Sequence, residues 1–165
     1  MPTGAPRTDL TLRAMTAADL PLLRGLLDRV TGESRWLRFF ATVDPDLAAR
    51  DELRRQEEDG GFGLVAVDGD GEVVGHGMCV PLDPDRAEVA FEVADGHHRE
   101  GIGTALLREI VARAERRGIR RLVAEVLAVN RDMHDMLRDA GLPLERRSAD
   151  GVAHYEIGLP GDGAR

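Results

Sequence analysis

Apolar residues alternate with polar ones along some stretches of this chain and recur every three to four residues along others; the switches between these periods outline its elements. Residues 10–15 alternate through Leu10, Leu12 and Ala14 and predict a first strand. Thr16 follows as an N-cap, with Asp19 at the third position and Pro21 in the first turn. Leu20, Leu22, Leu23, Leu26, Leu27 and Val30 then form the broad stripe of a helix that Thr31-Gly32 ends. Residues 33–40 predict a short helix with Trp36, Phe39 and Phe40 turned inward. A further helix over residues 44–58 is so densely charged that it is expected to lie largely in solvent.

Residues 62–68 and 72–80 read as strands joined by Gly69-Asp70-Gly71, where Asp-Gly between alternating runs signals a hairpin. Two prolines in residues 81–85 turn the chain into a strand over 86–93. There Glu88, Ala90 and Glu92 share one face, and Val89, Phe91 and Val93 the other. A helix over 103–117 buries Ile102, Leu106, Ile110 and Ala114 with Leu107 and Val111 flanking, and Gly118 caps it. The nearly continuous apolar run 122–127 predicts an interior strand. Asn130 starts a last helix with Met133, Met136, Leu137 and Ala140 inward and Gly141 at its end. Residues 144–147 and 152–159 form a final strand pair around Ala149-Asp150-Gly151. There is no internal repeat or linker, so the expected organisation is a flexible leader over 1–9, one domain over 10–159 and a tail over 160–165.

A length of 165 residues, 42% hydrophobic and 32% charged, describes a soluble globular domain with one sizeable core. No apolar run approaches the roughly 18 residues a membrane span needs, and no signal-peptide pattern opens the chain. The single cysteine, Cys79, excludes an internal disulfide and reads as a small buried hydrophobe, so a cytoplasmic setting is expected. A net charge of −8 disfavours nucleic acid as a partner. Arginine supplies all the basic charge, so the chain has no lysine side chain of its own to modify.

The candidate chemistry lies where the strand over 86–93 meets the helix after it. Past Asp95-Gly96 come Gly101-Ile102-Gly103, at the mouth of that helix. Glycines there let backbone N–H groups approach a ligand closely, and the helix dipole adds about half a positive charge. Phosphate or pyrophosphate suits such a loop; so does a tight turn that binds nothing. A P-loop would need a Gly-Lys pair, which is absent. A dinucleotide fingerprint would need glycine where Leu106 stands, although Glu125 weakly imitates its ribose-binding acid. The adjacent His97 and His98 have no third ligand at useful spacing, so no metal site is expected.

The stretch Val93-x-Asp95-x-His97-His98-Arg99-Glu100-Gly101-Ile102-Gly103 resembles the acyl-CoA loop of the GNAT superfamily of N-acetyltransferases, whose core is (Gln/Arg)-x-x-Gly-x-(Gly/Ala). His98 replaces the usual Gln or Arg, and Glu100 stands where a small or basic residue is common. Asn130 to Leu142 is similar to the family's N-x-x-A/M-x-x-L-(Y)-x-x-x-G-F segment, with Leu137 at the tyrosine position. Residues 33–40 resemble a segment of bacterial GNAT protein-lysine acetyltransferases that modify acyl-CoA synthetases.

The resemblance implies a mixed α/β (α+β) fold with six to seven mostly antiparallel strands, a parallel central pair that splays apart, and about four helices. It further implies acetyl-CoA as cosubstrate. The backbones of Phe91 and Val93 would pair with the pantetheine arm, and the backbone N–H groups of Arg99, Glu100, Gly101, Ile102, Gly103 and Thr104 would hold the pyrophosphate, with His98 also among the cofactor-binding residues. Asn130 would contact the pantetheine or acyl end, and the Met133 region would pack along CoA. Glu88 would serve as general base, with Glu92 as its understudy; a bulge in their strand would change which one meets the cleft. With Leu137 for tyrosine, the thiolate leaves unassisted or takes a proton from water, and His134 reads as a surface histidine.

The implied acceptor is a primary amine: a protein lysine, such as one on an acyl-CoA synthetase, or a small amine or arylalkylamine. The chain would act as a monomer or homodimer, without metal, nucleic acid or membrane. The alternative is a non-catalytic acyl-CoA-binding sensor.

Overall fold

The computed structural model describes residues 9–28, 45–58, 60–94 and 101–161. Within them the alternating stretches form one seven-stranded sheet in the order β1-β2-β3-β4-β5-β7-β6. The strands are β1 (Thr11–Ala14), β2 (Phe62–Val67), β3 (Val73–Pro81), β4 (Arg86–Val93), β5 (Arg121–Leu127), β6 (Leu144–Ala149) and β7 (Val152–Gly158). All neighbours are antiparallel except β4 and β5, which run parallel. The β6–β7 turn places Asp150 at φ 54° and Gly151 at φ 78°, the left-handed pair that a two-residue hairpin requires.

The period-2 pattern sends neighbouring residues to opposite faces. Val65 and Val73 pack with Met15, Leu23, Leu26, Leu27 and Ala49, beneath α1 (Leu20–Asp28) and α2 (Pro45–Glu58). Leu64, Ala66 and Val74 face the other way, against α3 (Ile102–Arg116) and α4 (Arg131–Asp139). The buried stripe of α3, from Ile102 to Ala114, is the predicted one. The result is a mixed sheet with one parallel pair and, among the described residues, four α-helices.

Two expectations are refined. Thr16 does cap, but it opens a short 3₁₀ turn, Ala17–Asp19, before α1 begins. Asp19 accepts the Thr16 N–H at 2.8 Å and pairs with Arg13 at 2.6 Å. This guanidinium chiefly, with the Thr16 amide, holds the Asp19 carboxyl below the usual carboxylate range. Second, α2 is largely exposed as expected, yet two of its residues reach inward. Ala49 is buried against α1, and Gln56 Nε2 donates to the Met15 carbonyl at 2.9 Å.

Residues 1–8 of the leader, Val30 with the Thr31-Gly32 helix end, the aromatic segment 33–40, the loop 95–100 and residues 162–165 of the tail lie outside the described residues.

Candidate functional site

The turn into β4 sets the phase of everything on it. Asp83 accepts the backbone N–H groups of Asp85 and Arg86 at 2.9 and 2.8 Å, and the Arg86 guanidinium at 2.8 Å. That guanidinium above all keeps the Asp83 carboxyl low, as Asp83 raises Arg86 in return. From there β4 pairs with β3 in unbroken register, Pro81↔Ala87 through Gly75↔Val93. No bulge interrupts β4, so Glu88, Ala90 and Glu92 stay on one face.

On its other edge β4 pairs with β5 for three rungs only: Arg86↔Arg121, Ala87↔Leu122 and Glu88↔Val123. Yet β4 runs on to Val93 and β5 to Leu127. The parallel pair therefore unzips above Glu88, leaving a gap between facing strand edges. Backbone N–H and C=O groups in such a gap need partners, and an extended ligand with amides of its own can supply them, much as an added strand would. Phe91 turns its ring into the core, so what it offers the gap is backbone; Val93 is half-buried.

Helix α3 begins beyond the far end of β4. Gly101 precedes it at φ 81°, a conformation that excludes almost every other residue. Ala105 N–H donates to the Gly101 carbonyl at 3.0 Å. The amides of Ile102, Gly103 and Thr104 lie in the first turn, ahead of any intrahelical acceptor, and are geometrically suited to an anion. His98, Arg99 and Glu100 lie outside the described residues, so their expected contacts are neither placed nor moved. Ile102 is itself a core residue.

Two glycines of β3 seat this helix against the sheet. A Cβ on Gly75 would lie 2.6 Å from Ile102 Cγ2, and one on Gly77 2.8 Å from Ile110 Cδ1. Gly103 plays a similar part toward α4, since its Cβ would fall 2.8 Å from Met136 Sδ. Across the gap, Asn130 Oδ1 caps α4 by accepting the Met133 N–H at 3.3 Å, and Met133 packs against the core.

The two carboxylates on the Glu88 face fare differently. Glu88, at the last rung before the gap, is 39% exposed and accepts from Arg55 Nη2 of α2 at 3.3 Å. Glu92 is 4% exposed and lies 2.8 Å from Nδ1 of the fully buried His76, its partner across the β3–β4 ladder. The strand thus carries one carboxylate at the opening and one sealed inside.

Three features escaped sequence reading. His76 sits within an apolar run, and only cross-strand register brings it to Glu92. Arg55 is one of many arginines on a charged helix. His134, expected at the surface, is half-buried between the Leu127 carbonyl at 3.0 Å and the Tyr155 hydroxyl at 2.5 Å. A carbonyl only accepts, so Nε2 carries a proton and donates to Leu127. The pair ties α4 to β7. Leu137, in the position of the family's tyrosine, is core. Cys79 is buried as predicted, and desolvation pushes its thiol up to about 12. Among the described residues, no three His, Cys, Asp or Glu side chains gather as metal ligands would. No helix there is long and apolar enough to cross a membrane.

The sequence model of the acetyltransferase (GNAT) family matches residues 31–142. Among solved structures, the GNAT domain of S. lividans PAT is 36% identical, with a TM-score of 0.79 over 90% of this chain and 89% of that one. A phosphinothricin acetyltransferase from Sinorhizobium meliloti, solved in complex with acetyl-CoA, is 22% identical with a TM-score of 0.73 over 92% and 89%. A ribosomal-protein-alanine N-acetyltransferase from Brucella melitensis is 24% identical with a TM-score of 0.71 over 90% and 99%. At those lower identities the likeness is one of fold.

Proposed function

The chain belongs to the GNAT acetyltransferase family and is an N-acetyltransferase; on that premise we propose that it moves an acetyl group from acetyl-CoA to a primary amine, foremost a protein lysine, with Glu88 as the base. One observation carries the reading. The β4–β5 ladder opens immediately above Glu88, at a gap whose upper end meets the Gly101-led start of α3.

In this reading the β4 backbone at Phe91 and Val93 pairs with the pantetheine arm. The first-turn amides of α3, from Gly101 to Thr104, receive the pyrophosphate, together with the preceding His98, Arg99 and Glu100. Asn130 borders the pantetheine or acyl end, and Met133 packs along CoA. What the cosubstrate supplies is an activated acetyl carbon.

The protein's own task is then the proton. A lysine amine with a pKa of about 10.4 arrives as an ammonium at neutral pH and cannot attack until it loses a proton. Glu88 is on hand where the gap begins, partly exposed, and takes that proton directly or through a water. The departing sulfur takes its proton from solvent, because Leu137 offers none and the Tyr155 hydroxyl is committed to His134. Attack is direct, with no acyl-enzyme intermediate. The resemblance of residues 33–40 to protein-lysine acetyltransferases supports lysine as acceptor over a small amine.

The test is a thiol-release screen with acetyl-CoA against lysine peptides, an acyl-CoA synthetase and a panel of small amines. Release that rises with a lysine acceptor upholds the proposal. Tight CoA binding with no response to any amine would instead identify a sensor.

A further inference from the structure

Glu88 already has a cationic donor. Arg55 leaves α2 from a turn that is held in place, since the adjacent Gln56 is hydrogen-bonded to the Met15 carbonyl at 2.9 Å. Its Nη2 reaches Glu88 Oε1 at 3.3 Å, and its side chain is 25% exposed. The neighbouring Arg54 behaves otherwise, bonding within its own helix to Asp51 at 2.9 Å and Glu58 at 3.4 Å. A guanidinium keeps its proton at any ordinary pH and its delocalised lone pairs make it a poor nucleophile. It can therefore rest on a base beside an acetyl donor without being consumed.

Resting on Glu88 as the base, the geometry points to Arg55 as an internal stand-in for the acceptor: its guanidinium occupies the seat on Glu88 that an incoming aliphatic ammonium takes, and each acceptor must displace it. The exchange is donor for donor, one charge-assisted hydrogen bond replacing another. That fits an acceptor which arrives protonated, such as a lysine side chain. Arg55 is a positioning residue here, acting through Glu88 and not on the acetyl group.

The absence of lysine from the chain makes a direct test possible. In R55K the substitution itself places a primary amine at the seat. With acetyl-CoA present, that ammonium gives one proton to Glu88 and its freed lone pair forms a bond to the acetyl carbon. The carbon–sulfur bond breaks with its electrons on sulfur, which is protonated by water, and the nitrogen sheds its second proton to solvent. The products are an amide and CoA thiol.

We expect R55K to take up one acetyl group at position 55, located by peptide mapping so that the α-amino group is not confused with it. The rate should be independent of protein concentration. R55Q should lower KM for a lysine peptide by roughly two- to fivefold, the range a partly exposed ion pair commands, with a smaller change in kcat. A merely structural Arg55 would lower thermal stability and kcat without lowering KM.

Folded R55K that stays unacetylated while it turns over a lysine peptide, or R55Q whose KM is unchanged or raised, overturns the proposal and leaves Glu88 as base intact. R55K/E88Q acetylated as fast as R55K overturns the base instead.

Discussion

Glu88 and Glu92 are the same residue type on the same face of the same strand, four positions apart, and they have opposite fates. Glu88 stands at the rung where β4 and β5 part, open to solvent on one side and met by an arginine. Glu92 lies deeper under the helical layer of α1 and α2, against a buried histidine. A base must be reached by its substrate; a buried acid–histidine pair must be satisfied internally. The contrast shows that alternation along a strand assigns a face but not access. Access depends on what covers the face and on where the sheet opens.

The largest expected effect comes from reversing the roles by mutation. E88Q should cut turnover roughly 10²- to 10⁴-fold with acetyl-CoA binding and melting temperature unchanged, whereas E92Q should keep turnover within a few-fold. Steady-state kinetics with calorimetric binding checks both; loss of turnover in E92Q and not in E88Q would swap the assignment.

Next comes the sealed pair. H76A should cost about 3 kcal/mol, because it takes from Glu92 its 2.8 Å partner inside the core, and lower the melting temperature by roughly 6–12 °C. An exposed pair would show almost nothing: R54A, on the outer side of α2, should stay within about 0.5 kcal/mol of the parent in urea unfolding.

Smaller again is the seat of α3. G75A drives a Cβ toward Ile102 Cγ2, 2.6 Å away, and should cost roughly 1–3 kcal/mol. Denaturant unfolding measures it, and a neutral result would mean that α3 shifts freely.

A modest effect, pH-dependent, lies far from both glutamates. The Asp19 carboxyl is held low by Arg13 and the Thr16 amide, so its contribution is present above the unfolded carboxylate value and lost as pH falls through the lower folded value. D19N should cost about 1 kcal/mol at neutral pH, and its stability should fall less steeply than the parent's below pH about 4.

Much of the fold was legible because its signals are local. The alternation of β4 matched its bounds from Arg86 to Val93, and the step from Ile102 to Ala114 marked the buried stripe of α3. Asn130 was legible as a cap because an Asn before an apolar period has one common use, and the structure shows its side chain accepting from Met133. Less legible were the contacts of Ala49 and Gln56 within α2, a helix otherwise largely exposed as its charges predict. His134 was misjudged for a related reason: Tyr155, twenty-one positions away, comes beside it only when β7 joins the sheet.

By itself, then, the order of residues determined most of the described elements and which face each strand residue takes. These follow from backbone periodicity and capping, which act over a few residues. The splay of the parallel pair was implied by the family resemblance, but the tertiary structure alone decided that it starts after three rungs, that Glu92 is shut in with His76, and that Arg55 rests on Glu88 from thirty-three positions earlier. Each of those depends on how helices and strands distant in the chain pack together, and packing sets the burial and distance through which a charge acts.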